Sequence, residues 1–185
     1  MAKVALAEYT TAGYNPGGML KRLFWLIASG LFFETWLPWP NSFKRSILRC
    51  FGAKVDVGVV IKPKVKIKYP WFLKIGEHSW IGEHVWIDNL TTVIIKDNAV
   101  LSQGAFLLTG NHNYKSPKFD LQVQPIEVGS GAWVAAKSVV CPGVTIADYA
   151  VLSVASLANR DLTEPAIYSG NPCKMIRLRD ISSES

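Results

Sequence analysis

The residue with the clearest chemical potential in the sequence is His112. It is the only histidine in the mostly polar stretch from Thr109 to Pro125, which interrupts an otherwise regular pattern. An imidazole titrates near neutral pH, so it can take a proton from an alcohol that attacks an acyl group. Long excursions from a rigid scaffold often carry function. The sequence therefore makes His112 a candidate general base.

The other two histidines and a cysteine are weaker candidates. The chain contains a six-residue repeat, and His78 and His84 occupy the fourth position of two successive units, which begin at Ile75 and Ile81. In a three-sided coil they would point about 120° apart, which disfavours a shared metal ion. Cys141 stands at the second position of its unit, beside Pro142, with no sequence neighbour that would lower the pKa of its thiol. We therefore expect no metal site and no cysteine nucleophile.

A six-residue repeat underlies these positions. From residue 128 the chain reads VGSGAW, VAAKSV, VCPGVT, IADYAV and LSVASL without interruption, with an aliphatic residue at position one and a small or β-branched residue at position five. The same rule holds from Val55 to Leu107 in groups of three units. Such a period suits a short strand followed by a tight turn. It predicts an all-β solenoid in which position-one side chains form a continuous buried ladder.

The flanking segments complete the predicted architecture. Residues 18–51 carry apolar side chains at helical spacing, broken by Pro38 and Pro40, and predict two short helices that cap the open end of the solenoid. The predicted organisation is a flexible N-terminus (1–17), a helical cap segment (18–51), a solenoid (52–163) with an inserted protruding loop (109–125), and a C-terminal tail (164–185).

Composition narrows the class of protein. The 185 residues are 49% hydrophobic and 18% charged, which fits one folded domain and excludes a disordered chain. No apolar run approaches the roughly 18 residues of a membrane-spanning helix. The first residues do not read as a signal peptide, so a cytoplasmic location is expected. The three cysteines are too few and too widely spaced for a disulfide framework.

The formal charge of +6 is concentrated near the N-terminus, since residues 21–49 contribute +4 of it. Two interpretations stay open for this basic, aromatic segment. It caps the first coil, or it lies on a membrane with its cations toward anionic lipid and its rings at the interface. The cations are Lys21, Arg22, Lys44, Arg45 and Arg49, and the rings are Phe24, Trp25, Phe32, Phe33, Trp36 and Trp39. No nucleic-acid-binding motif accompanies the charge.

Three features together resemble the left-handed β-helix acyltransferases, and most of all the colanic-acid-type sugar O-acetyltransferases. These are the hexad rule, the loop sequence TGNHNY at 109–114 and the closing SGNPCK at 169–174. The resemblance covers residues 18–179. It implies a left-handed parallel β-helix, a sense of coiling that the periodicity alone does not give. It also implies a homotrimer with active sites between protomers, acetyl-CoA as the acyl donor, and direct transfer to a saccharide hydroxyl with His112 as the catalytic base.

The resemblance, together with residue chemistry, suggests further site residues. The predicted substrate-binding residues are Asp88, Asn89, Tyr114 and Trp133. The predicted cofactor-binding residues are Ala136, Val154, Asn159, Arg160, Lys174 and Arg177. Asp and Asn are equally favoured at a corner turn, and Trp133 could instead pack between coils. The family's Gly-Ala-Gly-Ser reads Ser-Val-Ala-Ser at residues 153–156, which adds bulk where a cofactor would lie.

Other functions remain as alternatives. Within the acetyltransferases, the acceptor could be the amine of an amino sugar or another small molecule rather than a hydroxyl, and a lipid-linked saccharide would suit a membrane-bound cap. Outside them, hexad solenoids also serve as zinc hydratases of the carbonic anhydrase type, which need three converging histidines. A non-catalytic β-helix scaffold is the remaining interpretation.

Overall fold

The computed structural model describes residues 3–11 and 13–181. Three strands make one coil of a parallel β-solenoid, and five complete coils stack so that each face collects one strand per coil. Two helices, α1 (Met19–Phe32) and α2 (Asn41–Cys50), precede the first coil. Short 3-10 helices lie at Leu6–Glu8 and Pro70–Phe72.

The strands fall into three faces and one hairpin. The first face contains β1 (Lys54–Val55), β4 (Leu73–Ile75), β7 (Val93–Ile95), β12 (Ile126–Val128) and β15 (Thr145–Ile146). The second face contains β2 (Val60–Ile61), β5 (Trp80–Ile81), β8 (Val100–Leu101), β13 (Trp133–Val134), β16 (Val151–Leu152), β18 (Ala166–Gly170) and β19 (Cys173–Leu178). The third face contains β3 (Lys66–Ile67), β6 (Trp86–Asp88), β9 (Phe106–Leu108), β14 (Val139–Val140) and β17 (Leu157–Ala158). The hairpin consists of β10 (Gly110–His112) and β11 (Leu121–Val123).

The core is the ladder that the repeat predicts. The position-one residues of all coils, from Val55 to Leu152, are buried, as are the small and β-branched residues at position five. Where position five is serine, the buried hydroxyl has a partner: Ser79 donates to the carbonyl oxygen of Lys96 at 2.6 Å, and Ser138 donates to that of Ser153 at 2.7 Å. The predicted fold class, an all-β hexapeptide-repeat solenoid with a helical segment and a protruding loop, is confirmed.

Position four of the repeat has a backbone role that the sequence analysis did not identify. Eleven residues at this position have positive φ, and they stack in columns along the corners of the prism. One column is Gly58, His78, Asn98, Gly131 and Tyr149, and the next is Lys64, His84, Gly104, Lys137 and Ala155. His78 and His84 therefore belong to two different corners. Within the described residues no cluster of three or more His, Cys, Asp or Glu side chains could hold a metal ion.

Helix α2 closes the first coil through its cations. Lys44 is buried, and its ammonium donates hydrogen bonds to the carbonyl oxygens of Ile61 and Lys62 at 2.9 and 3.3 Å. The guanidinium groups of Arg45 and Arg49 donate to two further carbonyls of this coil, at 2.9 and 2.7 Å. Carbonyls at an open solenoid end need such donors. The cap interpretation thus explains these contacts, while contact of the segment with lipid stays a prediction.

Helix α1 is anchored on one side only. Trp25 is buried and its indole N–H donates to the carbonyl oxygen of Ile67 at 2.9 Å, while Phe33 packs beside it with ring centroids 5.4 Å apart. These two rings are therefore part of the core and not available to an interface. The opposite side of α1 is apolar and exposed. No helix in the described part of the chain is long and apolar enough to cross a membrane.

Both flanks of the solenoid make specific contacts. Near the N-terminus, the amide of Ala5 donates to the carbonyl oxygen of Pro117 at 2.8 Å, and Glu8 pairs with Lys118 at 3.5 Å. The predicted flexibility of residues 1–17 stays a prediction, and Met1, Ala2 and Ala12 lie outside the described residues. The predicted C-terminal tail forms β18 and β19, which extend the second face; residues 182–185 lie outside the described range.

Candidate active site

His112 lies on the hairpin that leaves the solenoid at the corner between the third and first faces. Its ring stacks on Phe119, with centroids 4.7 Å apart and planes 16° apart, and its Nδ1 lies 2.8 Å from the carbonyl oxygen of Phe119. A carbonyl oxygen can only accept, so Nδ1 carries the proton of the neutral ring. The Nε2 atom is then left as the acceptor of a proton. The arrangement suits a general base.

The N-terminal segment packs beside the hairpin that carries His112. The ring of Tyr9 lies 5.7 Å from that of His112, and a groove of about 390 Å³ opens beside the two strands. Its walls include Tyr14, Asp120 and Leu121, and Leu121 is the strand partner of His112. The sequence analysis did not connect residues 9–14 with His112, because a contact over about a hundred residues leaves no local signal.

Asp88 ends β6 at the same corner and keeps a carboxylate available. Its side chain is 13% exposed, and its Oδ1 lies 3.6 Å from the ammonium nitrogen of Lys68. That oxygen is buried and accepts no hydrogen bond from the described residues. A carboxylate oxygen whose lone pairs are not used can accept a hydrogen bond from a hydroxyl group of a ligand.

Asn89, the next residue, is fully buried. Its side-chain oxygen accepts from the amide of Tyr69 at 3.0 Å, and its side-chain nitrogen donates to the carbonyl oxygen of Tyr69 at 2.6 Å. Both ends of the amide are thus used to hold two neighbouring coils together. These contacts favour the corner-turn alternative, and the role of Asn89 in substrate binding stays a prediction.

Two polar residues near Asp88 were missed by the sequence analysis. Tyr14 donates its hydroxyl to the carbonyl oxygen of Leu90 at 2.8 Å, and burial, followed by the nearby Tyr69 and Asp88, raises the pKa of its phenol. Arg22 on α1 acts against that shift through its positive charge, and its buried Nε has no hydrogen-bond partner among the described residues. We call Tyr14, Arg22, Lys68 and Asp88 the polar cluster.

The polar cluster and His112 are joined through Leu90 and Tyr14. Gly110 of the hairpin packs so closely on Leu90 that an added Cβ would lie 2.6 Å from its Cδ1. Tyr14 binds the backbone of Leu90 and also lines the groove beside the hairpin. These contacts place His112 and the polar cluster in one continuous region of the protomer.

The two aromatic residues predicted to hold an acceptor lie elsewhere. Tyr114 is 77% exposed at the tip of the hairpin, with the ammonium of Lys115 at 5.9 Å from its ring centre. Trp133 is on the second face, and its indole N–H donates to the hydroxyl of Ser102 at 2.8 Å. Within one protomer the structure therefore does not bring Trp133 to the corner of His112.

Trp133 instead shares a groove with two of the predicted cofactor residues. Ala136 and Val154 line this groove of about 440 Å³ on the second face, together with Ser153. Val154 projects into it and is 63% exposed. The small side chain of Ala136 leaves room for a slender ligand along the coils, and the effect of Val154 on cofactor binding stays a prediction.

The predicted basic residues lie on two faces of the prism: Lys174 and Arg177 on the second face, and Arg160 directly after the last strand of the third face. Lys174 and Arg177 are on the exposed strand β19, where Arg177 pairs with Ile167, a wall of the same groove. Asn159 and Arg160 follow β17 and are also exposed. Such cations could meet the phosphates of a nucleotide.

The cysteines carry no sign of activation. Burial raises the pKa of the Cys141 thiol, which opposes formation of the reactive thiolate. Burial likewise raises the pKa of Cys173, although the positive charge of Arg160 acts in the opposite direction. The expectation that Cys141 is not a nucleophile stays a prediction.

Comparison with known proteins gives the family. The chain is 36% identical over 169 residues to the Escherichia coli protein named "Putative colanic acid biosynthesis acetyltransferase WcaF", covering 90% of this chain and 92% of that protein. It is 27% identical over 137 residues to the galactoside O-acetyltransferase of Escherichia coli, covering 72% and 68%. No family model matches the sequence.

The fold comparison agrees. A hexapeptide-repeat acetyltransferase of Vibrio cholerae, solved in complex with acetyl coenzyme A, superposes with a TM-score of 0.80 at 15% identity, covering 94% of this chain and 97% of that chain. Because the sequence match covers nearly the whole of both chains, this chain belongs to the hexapeptide-repeat acetyltransferases, in the group of the colanic acid biosynthesis acetyltransferases.

Proposed function

We propose that this acetyltransferase transfers the acetyl group of acetyl-CoA to a hydroxyl group of a saccharide, with His112 as the general base. The observation that carries the proposal is the hydrogen bond between Nδ1 of His112 and the carbonyl oxygen of Phe119, which leaves Nε2 as a proton acceptor. Acetyl-CoA is the acyl donor of the family and supplies an activated acetyl thioester.

The polar cluster supports a saccharide acceptor. Asp88 and Arg22 offer buried polar atoms that lack partners in the described residues, and Tyr14 adds a hydroxyl beside them. Sugar hydroxyls donate and accept hydrogen bonds at once, so a carboxylate next to a guanidinium can hold two of them. His112 then takes the proton of the acceptor hydroxyl while that oxygen bonds to the acetyl carbon. The same proton passes to the departing sulfur.

The groove on the second face supports the predicted donor site. Ala136 and Val154 line an open groove along the coils, and Arg177 is the strand partner of Ile167 in its wall. The groove would hold the pantetheine arm of coenzyme A, and the exposed cations Arg160, Lys174 and Arg177 would meet its phosphates.

We infer a homotrimer, as the resemblance implies, and the separation of these two parts supports an active site shared between protomers. The hairpin of His112 leaves the corner between the third and first faces, whereas the groove lies on the second face. A cyclic assembly can set the hairpin of one protomer against the groove of its neighbour. Light scattering should then give three times the protomer mass of 20.5 kDa.

Product analysis tests the chemistry. Wild-type protein is incubated with acetyl-CoA and matched pairs of saccharides that differ only in a hydroxyl or an amino group, and products are examined by mass spectrometry and mild alkaline treatment. We expect alkali-labile esters on the hydroxyl-bearing acceptors, including lipid-linked ones. Stable amides formed only on the amino sugars would replace the O-acetyltransferase by an N-acetyltransferase. A chain that fails to bind acetyl-CoA would support the scaffold alternative.

A further inference from the structure

Helix α1 presents an apolar surface that the solenoid does not cover. Seven of its apolar side chains are each half or more exposed, and at 100° per residue they span about 160° of the helix. They are Met19, Leu20, Leu23, Phe24, Leu26, Ile27 and Leu31. Gly30 is the other residue in that arc, so no charged side chain interrupts it. Contiguous apolar surface of this kind marks an interaction site.

The connection from α1 to α2 continues this surface with amphipathic rings. Trp36 and Leu37 are 65% and 58% exposed. Trp39 packs on Phe32 with ring centroids 5.3 Å apart, and its indole N–H donates to the carbonyl oxygen of Leu31 at 3.1 Å. Tryptophan favours the boundary between lipid and water because one part of its ring is apolar and its N–H is polar.

The same end of the molecule is strongly basic. Residues 19–68 hold ten of the chain's 20 basic residues and two of its 14 acidic ones, a net charge of +8, whereas the remaining residues together carry −2. Three of these cations donate to the first coil, but others stay near the exposed rings. The ammonium of Lys64 lies 5.0 Å from the ring of Trp36, and Lys66 lines a surface groove together with these two residues.

We propose that the apolar face of α1 docks this protein on an anionic lipid surface, with the helix parallel to the membrane plane. At 1.5 Å per residue its 14 residues measure about 21 Å, less than the roughly 30 Å of a hydrocarbon core. The helix therefore lies in the headgroup region, where its apolar arc enters the acyl boundary and the surrounding cations meet phosphate.

Charge favours lipid over a second copy of the chain. In a two-fold dimer the same patch meets itself, so two ends of charge +8 would face each other and repel. An anionic bilayer supplies the opposite charge and takes up the apolar arc at the same time. The proposal is independent of the proposed reaction, but it would place the active site at the surface where lipid-linked saccharides occur.

Vesicle sedimentation tests the proposal with the full chain. The wild type is compared on phosphatidylcholine vesicles with and without about one third phosphatidylglycerol. We expect at least tenfold stronger binding to the anionic vesicles, and a loss when salt rises from about 0.1 to about 1 M, which shortens the Debye length from about 10 to about 3 Å. Absence of binding by the wild type would overturn the proposal.

A double variant assigns the binding to α1. Leu23→Gln with Phe24→Gln alters two exposed side chains, and Ile181→Gln is the matched control because Ile181 is 58% exposed outside the cap. We expect the double variant to lose at least tenfold in vesicle binding, as burial of one such side chain changes a partition coefficient by about that factor. The control should bind like the wild type.

Two further readouts separate the outcomes. Equal vesicle binding by the wild type and the double variant would contradict a role of α1. If the wild type does not bind vesicles and the double variant has a lower mass in light scattering, a second copy of the chain covers this face. Turnover of a water-soluble saccharide should be unchanged in the double variant, so a failure of lipid docking is distinguishable from a failure of the proposed reaction.

Discussion

Replacing Asn89 by alanine separates a structural role of this corner from a ligand-binding role. Its side-chain amide makes two hydrogen bonds, of 2.6 and 3.0 Å, with the backbone of Tyr69, and its side chain is fully buried. In the variant both backbone groups of Tyr69 lose these partners. Only the amide of Tyr69 is left without a partner, because its carbonyl oxygen still accepts from the amide of Phe72 at 3.0 Å. One buried group left unpaired costs about 1–3 kcal/mol, so we expect a loss of about 1–3 kcal/mol in the free energy of unfolding.

Urea unfolding followed by tryptophan fluorescence measures this loss, and the seven tryptophans provide the signal. The control is Asn15→Ala, because Asn15 is exposed and accepts one hydrogen bond, from the amide of Gly17 at 2.9 Å. This control should lose less than about 1 kcal/mol.

Steady-state kinetics completes the test. If Asn89→Ala unfolds like the control but raises the KM for a saccharide tenfold or more, Asn89 binds the acceptor and the structural interpretation is refuted. A destabilised variant with an unchanged KM would support it.

Other substitutions probe the site, the cap and the coils. Asp88→Asn should lower kcat/KM for the saccharide at least tenfold in initial-rate assays. The free energy of unfolding should change by less than about 1 kcal/mol, because Oδ1 of Asp88 accepts no hydrogen bond from any residue that the structure describes. A loss of stability without a kinetic effect would refute this. Lys44→Met should cost about 1–3 kcal/mol at neutral pH, since two carbonyl oxygens lose their donor. Burial, with a smaller effect of Lys62, lowers the pKa of Lys44 below its ordinary 10.5, so the unfolded chain holds this proton more tightly. The free energy of unfolding of the wild type, minus that of Lys44→Met, should therefore rise with pH between the folded-state pKa and 10.5. Urea unfolding at several pH values measures this difference, and a constant or falling difference would contradict the prediction. Gly82→Ala should lower the free energy of unfolding by at least about 2 kcal/mol, because the new Cβ would lie 2.8 Å from the carbonyl oxygen of Leu101. In Gly104→Ala the nearest atom to the new Cβ would be Cγ of Lys137 at 3.6 Å, so this variant should lose only about 1 kcal/mol of unfolding free energy, through its positive φ. Equal losses in the two glycine variants would contradict the packing argument.

The sequence was sufficient for the solenoid because its packing is local and repeated. Each aliphatic residue at position one stacks on the residue one coil away, so one rule fixes a ladder from Val55 to Leu152. Position four was missed because its signal is conformational. Glycine and asparagine occur there, but so do His78, Lys137 and Tyr149, and residue type alone does not reveal a positive φ.

The site was less accessible from sequence for a different reason. His112 stood out because it interrupts the repeat, whereas Tyr14 and Arg22 reach the same region from the N-terminal segment and the helical cap. Contacts between such distant segments leave no periodic pattern. Trp133 was assigned to the acceptor by residue type, but its face of the prism associates it with the predicted donor groove.

The most direct test of the function is acceptor-dependent thiol release from acetyl-CoA by the wild type and by His112→Ala. His78→Asn is the matched control, because this second histidine occupies a corner with positive φ that asparagine tolerates. Removing a general base should lower kcat by about 10²–10⁴-fold, while the control keeps wild-type turnover. Wild-type turnover in His112→Ala would contradict the assignment of His112 as the base.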